Sequence, residues 1–213
     1  MKVTLKLATS LDGRIATASG ESRWITGPAA REQVHRLRAA STAVMVGVET
    51  VIADDPELTV RLAGDIANQP VRVVLDSHQR IPLQSKLVTT ARRLATIILT
   101  TGVSNKRLTD AGVTVVQVAH QAARVDPRAA LEALEAMGQD SVLIEGGGQV
   151  AASFLFAGLV DAIEWFRAPI VLGDEGRGAV GGCGPNALAD APRFRRIEVQ
   201  GLGDDLWERY ERL

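Results

Sequence analysis

Short, continuous apolar runs alternate along this chain with segments of helical spacing. Val71-Arg72-Val73-Val74-Leu75 and Thr96-Ile97-Ile98-Leu99 are two such runs, and their near-continuous hydrophobicity is what strands covered on both faces show. Strands are expected at residues 2–9, 43–48, 71–76, 94–100, 113–118, 141–145, 161–172, 193–200 and 206–212. Helices are expected at 28–40, where Pro28 follows Thr26-Gly27, at 127–137, where Asp126 caps a start at Pro127, and at 148–157, with a shorter helical turn at 49–53. Ala30, Val34 and Leu37 form the apolar stripe of the first helix, and Val150, Phe154 and Ala157 that of the third, which Gly158 is placed to end. Strands separated by helices imply a largely parallel sheet with helices on both faces. The final strands follow one another without helices, so an antiparallel ending is expected.

The third helix begins in a distinctive place. Ser141-Val142-Leu143-Ile144-Glu145 reads as a buried strand, and Gly146-Gly147-Gly148 carries it straight into the helix. Glycines let the backbone approach a bound group closely, and the amides and positive dipole end of a helix start favour an anion such as a dinucleotide pyrophosphate. A strand-to-helix turn that only needs tight packing is the plainer alternative. Gly146, Gly148 and Ala151 also fit G-x-G-x-x-A, but an ordinary Rossmann fold opens with that loop and places an acid about 20 residues later. Here the loop comes late and residues 165–168 are Trp-Phe-Arg-Ala, so a dinucleotide-binding α/β fold of another topology fits better.

Composition narrows the function. A length of 213 residues with 46% hydrophobic content is ordinary for one soluble domain, taken as residues 1–213. The net charge of −1 supplies no basic field for nucleic acid, so a small ligand is expected. Cys183 is the single cysteine and lies in a glycine-rich loop, which excludes an internal disulfide and reads as incidental. His35, His78 and His120 are scattered without ligand spacing, so no metal site is expected. The sequence has no long apolar run and its start alternates like a strand; no membrane segment or signal peptide is expected, and the location is taken as cytoplasmic.

Several charged residues stand where charge needs a partner or a task. Lys6 and Glu145 belong to the ends of two strands expected to be central; they form a structural pair, or they bracket a reacting centre as general acid and electrostatic partner. Arg38 borders the stripe of the first helix and can reach inward, whereas Arg31 and Arg36 read as solvated charges. Arg61 closes the loop Asp54-Asp55-Pro56-Glu57-Leu58-Thr59-Val60-Arg61; it or Arg38 can clamp a phosphate, or Arg61 only pairs with Asp54. Asp12-Gly13 marks a turn after the first strand, and Trp24 lies in a polar loop that either covers a ligand or anchors to the core.

The blocks LKLATSLDGRIATASGESRWITG, LRA, DDPELTVR, VVLDSHQRIP and LIEGGGQVAASFL, with the tail GLVDAIEWFRAPIVLG, resemble in this order the pyrimidine reductase family of riboflavin biosynthesis. The resemblance implies a dihydrofolate-reductase-like α/β fold with a mostly parallel central sheet and an antiparallel last strand. It also implies NADPH as cofactor, a homodimer, and reduction of 5-amino-6-(5-phosphoribosylamino)uracil. Carried onto this sequence, it implies that Ala8, Trp24, Thr50, Asp54, Ser77, Gly147, Gly148, Gln149, Val150, Ala151, Ala152 and Ser153 line the cofactor. Ser22, Arg38, Leu58, Arg61 and Glu145 would meet the substrate, and Lys6, Glu145 and Asp54 are the catalytic candidates. Ser77 and Arg80 are candidate contacts to the cofactor's 2′-phosphate. Bifunctional members carry a zinc deaminase domain ahead of the reductase; this sequence begins at the reductase strand, so no deaminase activity is expected.

Two other readings remain open. A pterin reductase on the same fold would want a buried carboxylate on the first helix, where the only acid, Glu32, points away from the apolar stripe. A non-catalytic NADPH-binding module would need none of the catalytic candidates.

Overall fold

The computed structural model describes residues 1–22, 25–63, 69–182 and 184–213. Trp24 and Cys183, both singled out in the sequence, lie outside the described residues. In sequence order the elements are β1 (Lys2–Thr9), β2 (Arg14–Ala16), α1 (Pro28–Ala39), β3 (Ala43–Gly47), α2 (Val48–Asp54), β4 (Val71–Leu75), α3 (Lys86–Thr89), β5 (Thr96–Thr100), α4 (Lys106–Asp110) and β6 (Thr114–Gln117). They continue with β7 (His120–Gln121), β8 (Arg124–Val125), α5 (Pro127–Ala136), β9 (Ser141–Ile144), α6 (Gly148–Phe156), β10 (Ala162–Arg167), β11 (Arg177–Gly178), a 3-10 turn at Leu188–Asp190, β12 (Phe194–Leu202) and β13 (Asp205–Arg212). All the expected strands and helices are present. β2, β7, β8, β11 and the short α3 and α4 carry too little periodicity to be read from sequence.

The protein groups into two compact units, Met1–Lys2 with His35–Leu143, and Val3–Val34 with Ile144–Leu213. In the first, β3 pairs with β4, β4 with β5 and β5 with β6, all parallel. Val44, Val46, Val74 and Ile98 from one face of these strands form a core with Leu87, Val88 and Leu108. In the second unit β1 pairs parallel with β10, while β13 pairs antiparallel with both β10 and β12. Strand pairing is thus mostly parallel with an antiparallel ending, as the spacing of elements implies. β10 is shorter than the expected 161–172 because Pro169 has no amide to continue a ladder, and Ile170 turns back to bond the Ala168 carbonyl at 2.8 Å.

One charge lies inside the first core. Arg72, on β4, is 1% exposed and shares a strand face with Val74. Its guanidinium donates to the carbonyls of Leu87 at 3.2 Å and Leu94 at 2.7 Å, and to the hydroxyls of Thr90 and Thr96. These acceptors lie in α3 and in the segment leading into β5, so the fork ties the short helix to the strand that follows it. Burial pulls the Arg72 guanidinium down to about 10, which leaves it charged at neutral pH. Arg72→Leu keeps the bulk but leaves the Leu87 and Leu94 carbonyls to share the single Thr96 hydroxyl, 3.1 and 3.0 Å away. It is expected to lower the unfolding free energy by about 2–5 kcal/mol in urea denaturation, and an unchanged midpoint would show that the fork is dispensable.

Candidate active site

β1 alternates cleanly. Val3, Leu5 and Leu7 are buried, while Thr4, Lys6 and Ala8 are half-buried on the opposite face. Lys6 therefore stands inside the strand rather than at its end, where the sequence pattern puts it. The parallel register places Glu164 and Phe166 of β10 beside Lys6 and Ala8, and β13 continues the row with Arg209 and Trp207. The Lys6 ammonium lies 5.9 Å from the centre of the Phe166 ring, within reach of its negative face. Phe166 in turn stacks on Trp207, with centroids 6.3 Å apart and planes 17° from parallel.

Beyond β1 the backbone turns at Ser10–Gly13, and this turn is fixed by its acid. Asp12 accepts from the Ser10 hydroxyl at 2.6 Å and from the amides of Leu172 at 3.1 Å and Gly173 at 2.7 Å. The Ser10 hydrogen bond first, then the two amides, hold the Asp12 carboxyl at about 2, below its usual 3.8. A depressed acid stabilises the fold fully above its ordinary value, and that contribution is lost as pH falls through about 2.

Glu145 follows β9 directly and is half-buried. It belongs to the same unit as Lys6. Gly147 is the residue before α6 and adopts φ 82°, a left-handed conformation that makes any side group there strained regardless of ligand. A glycine cannot cap α6 through a side group, so the positive end of the nine-residue helix stays uncapped from this position. Gly148 answers to a different constraint. A Cβ there would lie 2.6 Å from the Gly178 carbonyl oxygen and 3.1 Å from the Gly181 nitrogen, and the Gly181 amide donates to the Gly148 carbonyl at 2.8 Å. Tight backbone packing thus explains the third glycine, and the positive φ explains the second. The packed face of α6 is Ala151, Ala152, Phe154 and Leu155 rather than Val150, Phe154 and Ala157. Gln149, Ser153, Phe156 and Ala157 lie on the exposed side, and the helix is so uniformly apolar that its stripe cannot be phased from sequence.

Of the candidates in the first unit, Leu58 and Arg61 lie in the loop after α2, and Arg38 reaches it. Arg38 is half-buried and donates to the Thr59 carbonyl at 2.9 Å, so it does reach inward and holds this loop. Leu58 is 3% exposed with φ 54°, an unusual conformation for a buried leucine and one found where surrounding structure overdetermines the backbone. Arg61 is exposed and bridges to Glu57 at 3.1 Å, and its amide meets His35 Nδ1 at 3.2 Å. The Asp54 to Arg61 pairing weighed from sequence gives way to this i, i+4 pair, whose members stand nearer in sequence. Thr50 is half-buried and Asp54 exposed, both on α2. Ser77 is occupied structurally: its hydroxyl accepts the Val125 amide at 3.0 Å and its carbonyl accepts the Thr100 and Thr101 hydroxyls. Arg80 pairs with Glu49. Ser22 is half-buried. Arg31, which reads as solvated in the sequence, is half-buried and donates to the Thr26 carbonyl at 2.8 Å.

A family described as the RibD C-terminal domain matches residues 1–207. The chain belongs to the RibD C-terminal domain family. Among curated relatives, the Actinobacillus pleuropneumoniae riboflavin biosynthesis protein RibD is 38% identical over 96% of this chain and 55% of its own length. The 2,5-diamino-6-ribosylamino-4(3H)-pyrimidinone 5′-phosphate reductase of Methanothermobacter thermautotrophicus is 38% identical over 98% of this chain and 96% of its own. The solved Acinetobacter baumannii RibD superposes with a TM-score of 0.88 at 35% identity, covering all of this chain and 58% of that one. The chain thus spans little more than half the length of the RibD relatives. Both the family resemblance and the dihydrofolate-reductase-like fold read from the sequence blocks are borne out.

Within this RibD-type domain the sequence reading passes over Glu164, Trp207 and Arg209. A lone Glu inside the apolar run Ala162-Ile163-Glu164-Trp165-Phe166 is the available signal, because a carboxylate there cannot be left unpaired. Among the described residues, no helix is long and apolar enough to cross a membrane. The Gly148 assignment is open to test. Gly148→Ala should force the 178–181 segment away, costing about 1–3 kcal/mol and accelerating amide exchange at Gly181; wild-type exchange would remove the packing explanation.

Proposed function

We propose that this chain is one reductase domain of riboflavin biosynthesis, reducing 5-amino-6-(5-phosphoribosylamino)uracil to its ribitylamino product with NADPH, as a cytoplasmic homodimer. The observation that carries the reading is the near full-length match to a relative named as a ribosylamino-pyrimidinone 5′-phosphate reductase. NADPH, when bound, supplies a hydride to the anomeric carbon of the opened ribosyl group. The N-terminus of α6, which takes no side-chain cap from Gly147, suits the cofactor's pyrophosphate; Gly147, Gly148, Gln149, Val150 and Ser153 are assigned to it, while Ala151 and Ala152, also assigned to the cofactor, are buried on the packed face of the helix. Ala8 is assigned beside the cofactor; Thr50, Asp54 and Ser77 complete its contacts.

The protein's own task is to orient the substrate and move a proton. Reduction of the ring-opened imine adds hydride to its carbon and a proton to its nitrogen. Lys6, whose ammonium is held over Phe166, is the proposed donor or electrostatic partner, with Glu145 and Asp54 as the acids of the site. Arg38 and Arg61 are assigned to the 5-phosphate, with Leu58 and Ser22 against the remainder of the substrate. The pterin alternative rests on Glu32, which is exposed on α1 and offers no buried acid.

Purified protein is expected to oxidise NADPH only when the phosphoribosylamino-pyrimidine is present, and not with dihydrofolate. Lys6→Ala and Glu145→Gln should each lower kcat about a hundredfold while leaving NADPH affinity near wild type. Full turnover in either variant would take that residue out of the chemistry, and NADPH oxidation with dihydrofolate alone would favour the pterin reading.

A further inference from the structure

The paired registers of the second unit do more than place Lys6. β1 sets Lys6 beside Glu164 on β10, β13 sets Arg209 beside Glu164, and β12 sets Glu198 beside Arg209. Because paired residues share a face, four neighbouring strands present Lys6, Glu164, Arg209 and Glu198 as one row of alternating charge. Glu164 is the buried member, 3% exposed. Its Oε2 accepts the Trp207 indole N–H at 2.7 Å and its Oε1 lies 3.3 Å from Arg209 Nε.

The row sets the Lys6 ammonium between two neighbours. One is the Phe166 ring, 5.9 Å away and two residues further along β10, which draws Nζ toward the carboxyl ends of the parallel strands, where ligands of α/β sheets bind. Beside Lys6 in the strand register stands the Glu164 charge, itself in contact with Trp207 and Arg209. Trp207 also stacks on Phe166, so the indole holds Phe166 and Glu164 at once. The alternation continuing to Lys6 gives Glu164 a further role.

We propose that Glu164 is a positioning residue: it fixes the location and charge of the Lys6 ammonium, and acts on the reduction only through Lys6. This rests on the reading of Lys6 as a group at the reacting centre, and the experiment separates the two. In protein reductively methylated with ¹³C, the Lys6 methyl signal, assigned by its absence in Lys6→Met, is recorded for wild type, Glu164→Gln and Glu164→Asp. Glu164→Gln can still accept from Trp207 but has no charge, and is expected to move the signal; Glu164→Asp keeps the charge and should restore it at least in part. An unmoved signal in both variants overturns the proposal.

Turnover is then measured on unmodified protein. Glu164→Gln should lower kcat about tenfold with KM for both substrates within twofold, and should cost nothing further when Lys6 is already Met, the non-additivity expected of residues that act as a unit. Equal losses in the two backgrounds overturn the proposal, since Glu164 would then act independently of Lys6. A moved Lys6 signal with unchanged turnover in both Lys6→Met and Glu164→Gln upholds the anchoring and removes Lys6 from the reacting centre instead.

Discussion

The parallel register of β1 against β10 is the constraint on which the rest of the second unit depends. Side groups alternate along a strand, so a slip of one residue would turn Lys6 and Ala8 to the other face and bring Leu5 and Leu7 in their place. The cost of that slip is set on both faces. Val3, Leu5 and Leu7 would leave the core, and Glu164 would lose the lysine beside it while remaining buried. Hydrophobic burial and the placing of Lys6 beside Glu164 thus agree on one register, and the register in turn puts an ammonium over an aromatic stack. The second unit has one further fixed point at the end of β1, where Asp12 gathers the Leu172 and Gly173 amides and ties the turn to the segment after β10.

The first unit solves a different problem with similar means. Its short α3 is tied to β5 by the buried Arg72 fork, which donates to the Leu87 and Leu94 carbonyls alongside the Thr96 hydroxyl. That firm base carries the loop after α2, where two left-handed residues, Asp55 at φ 40° and Leu58 at φ 54°, bend the backbone sharply. Asp55 caps α3 through the Lys86 amide at 2.8 Å, and Arg38 holds the Thr59 carbonyl. The arginines assigned to the substrate phosphate therefore start from different states. Arg38 is already organised by the loop, whereas Arg61 is exposed and its surface pair with Glu57 is of the kind worth little in water.

Local signals in the sequence are legible where a single residue type decides the outcome. Asp126 caps α5 through the Arg128 and Ala129 amides, Pro28 opens α1, and Gly158 follows α6 at φ 68°. Patterns that depend on a partner far away in sequence are not. Glu164 acquires its role from Lys6, well over a hundred residues earlier, and from Trp207 and Arg209 in a strand whose pairing no local spacing reveals. The glycine loop shows both cases. Its position between strand and helix is evident, yet the demand on Gly148 comes from the Gly178–Gly181 backbone, which the sequence does not place nearby. Arg72 is visible only as an interruption in an apolar run, because two of its acceptors are backbone atoms that leave no trace in residue type.

The central claim is that the β1–β10 register delivers Lys6 to the atoms that react. A crystal structure of the protein with NADP⁺ and the phosphoribosylamino-pyrimidine bound tests it most directly. The Lys6 ammonium is then expected within about 3 Å of a polar atom on the substrate's ribosyl group, with the cofactor's pyrophosphate at the N-terminus of α6. A complex in which Lys6 still lies over Phe166, with every substrate and cofactor atom more than about 6 Å from it, would contradict the claim.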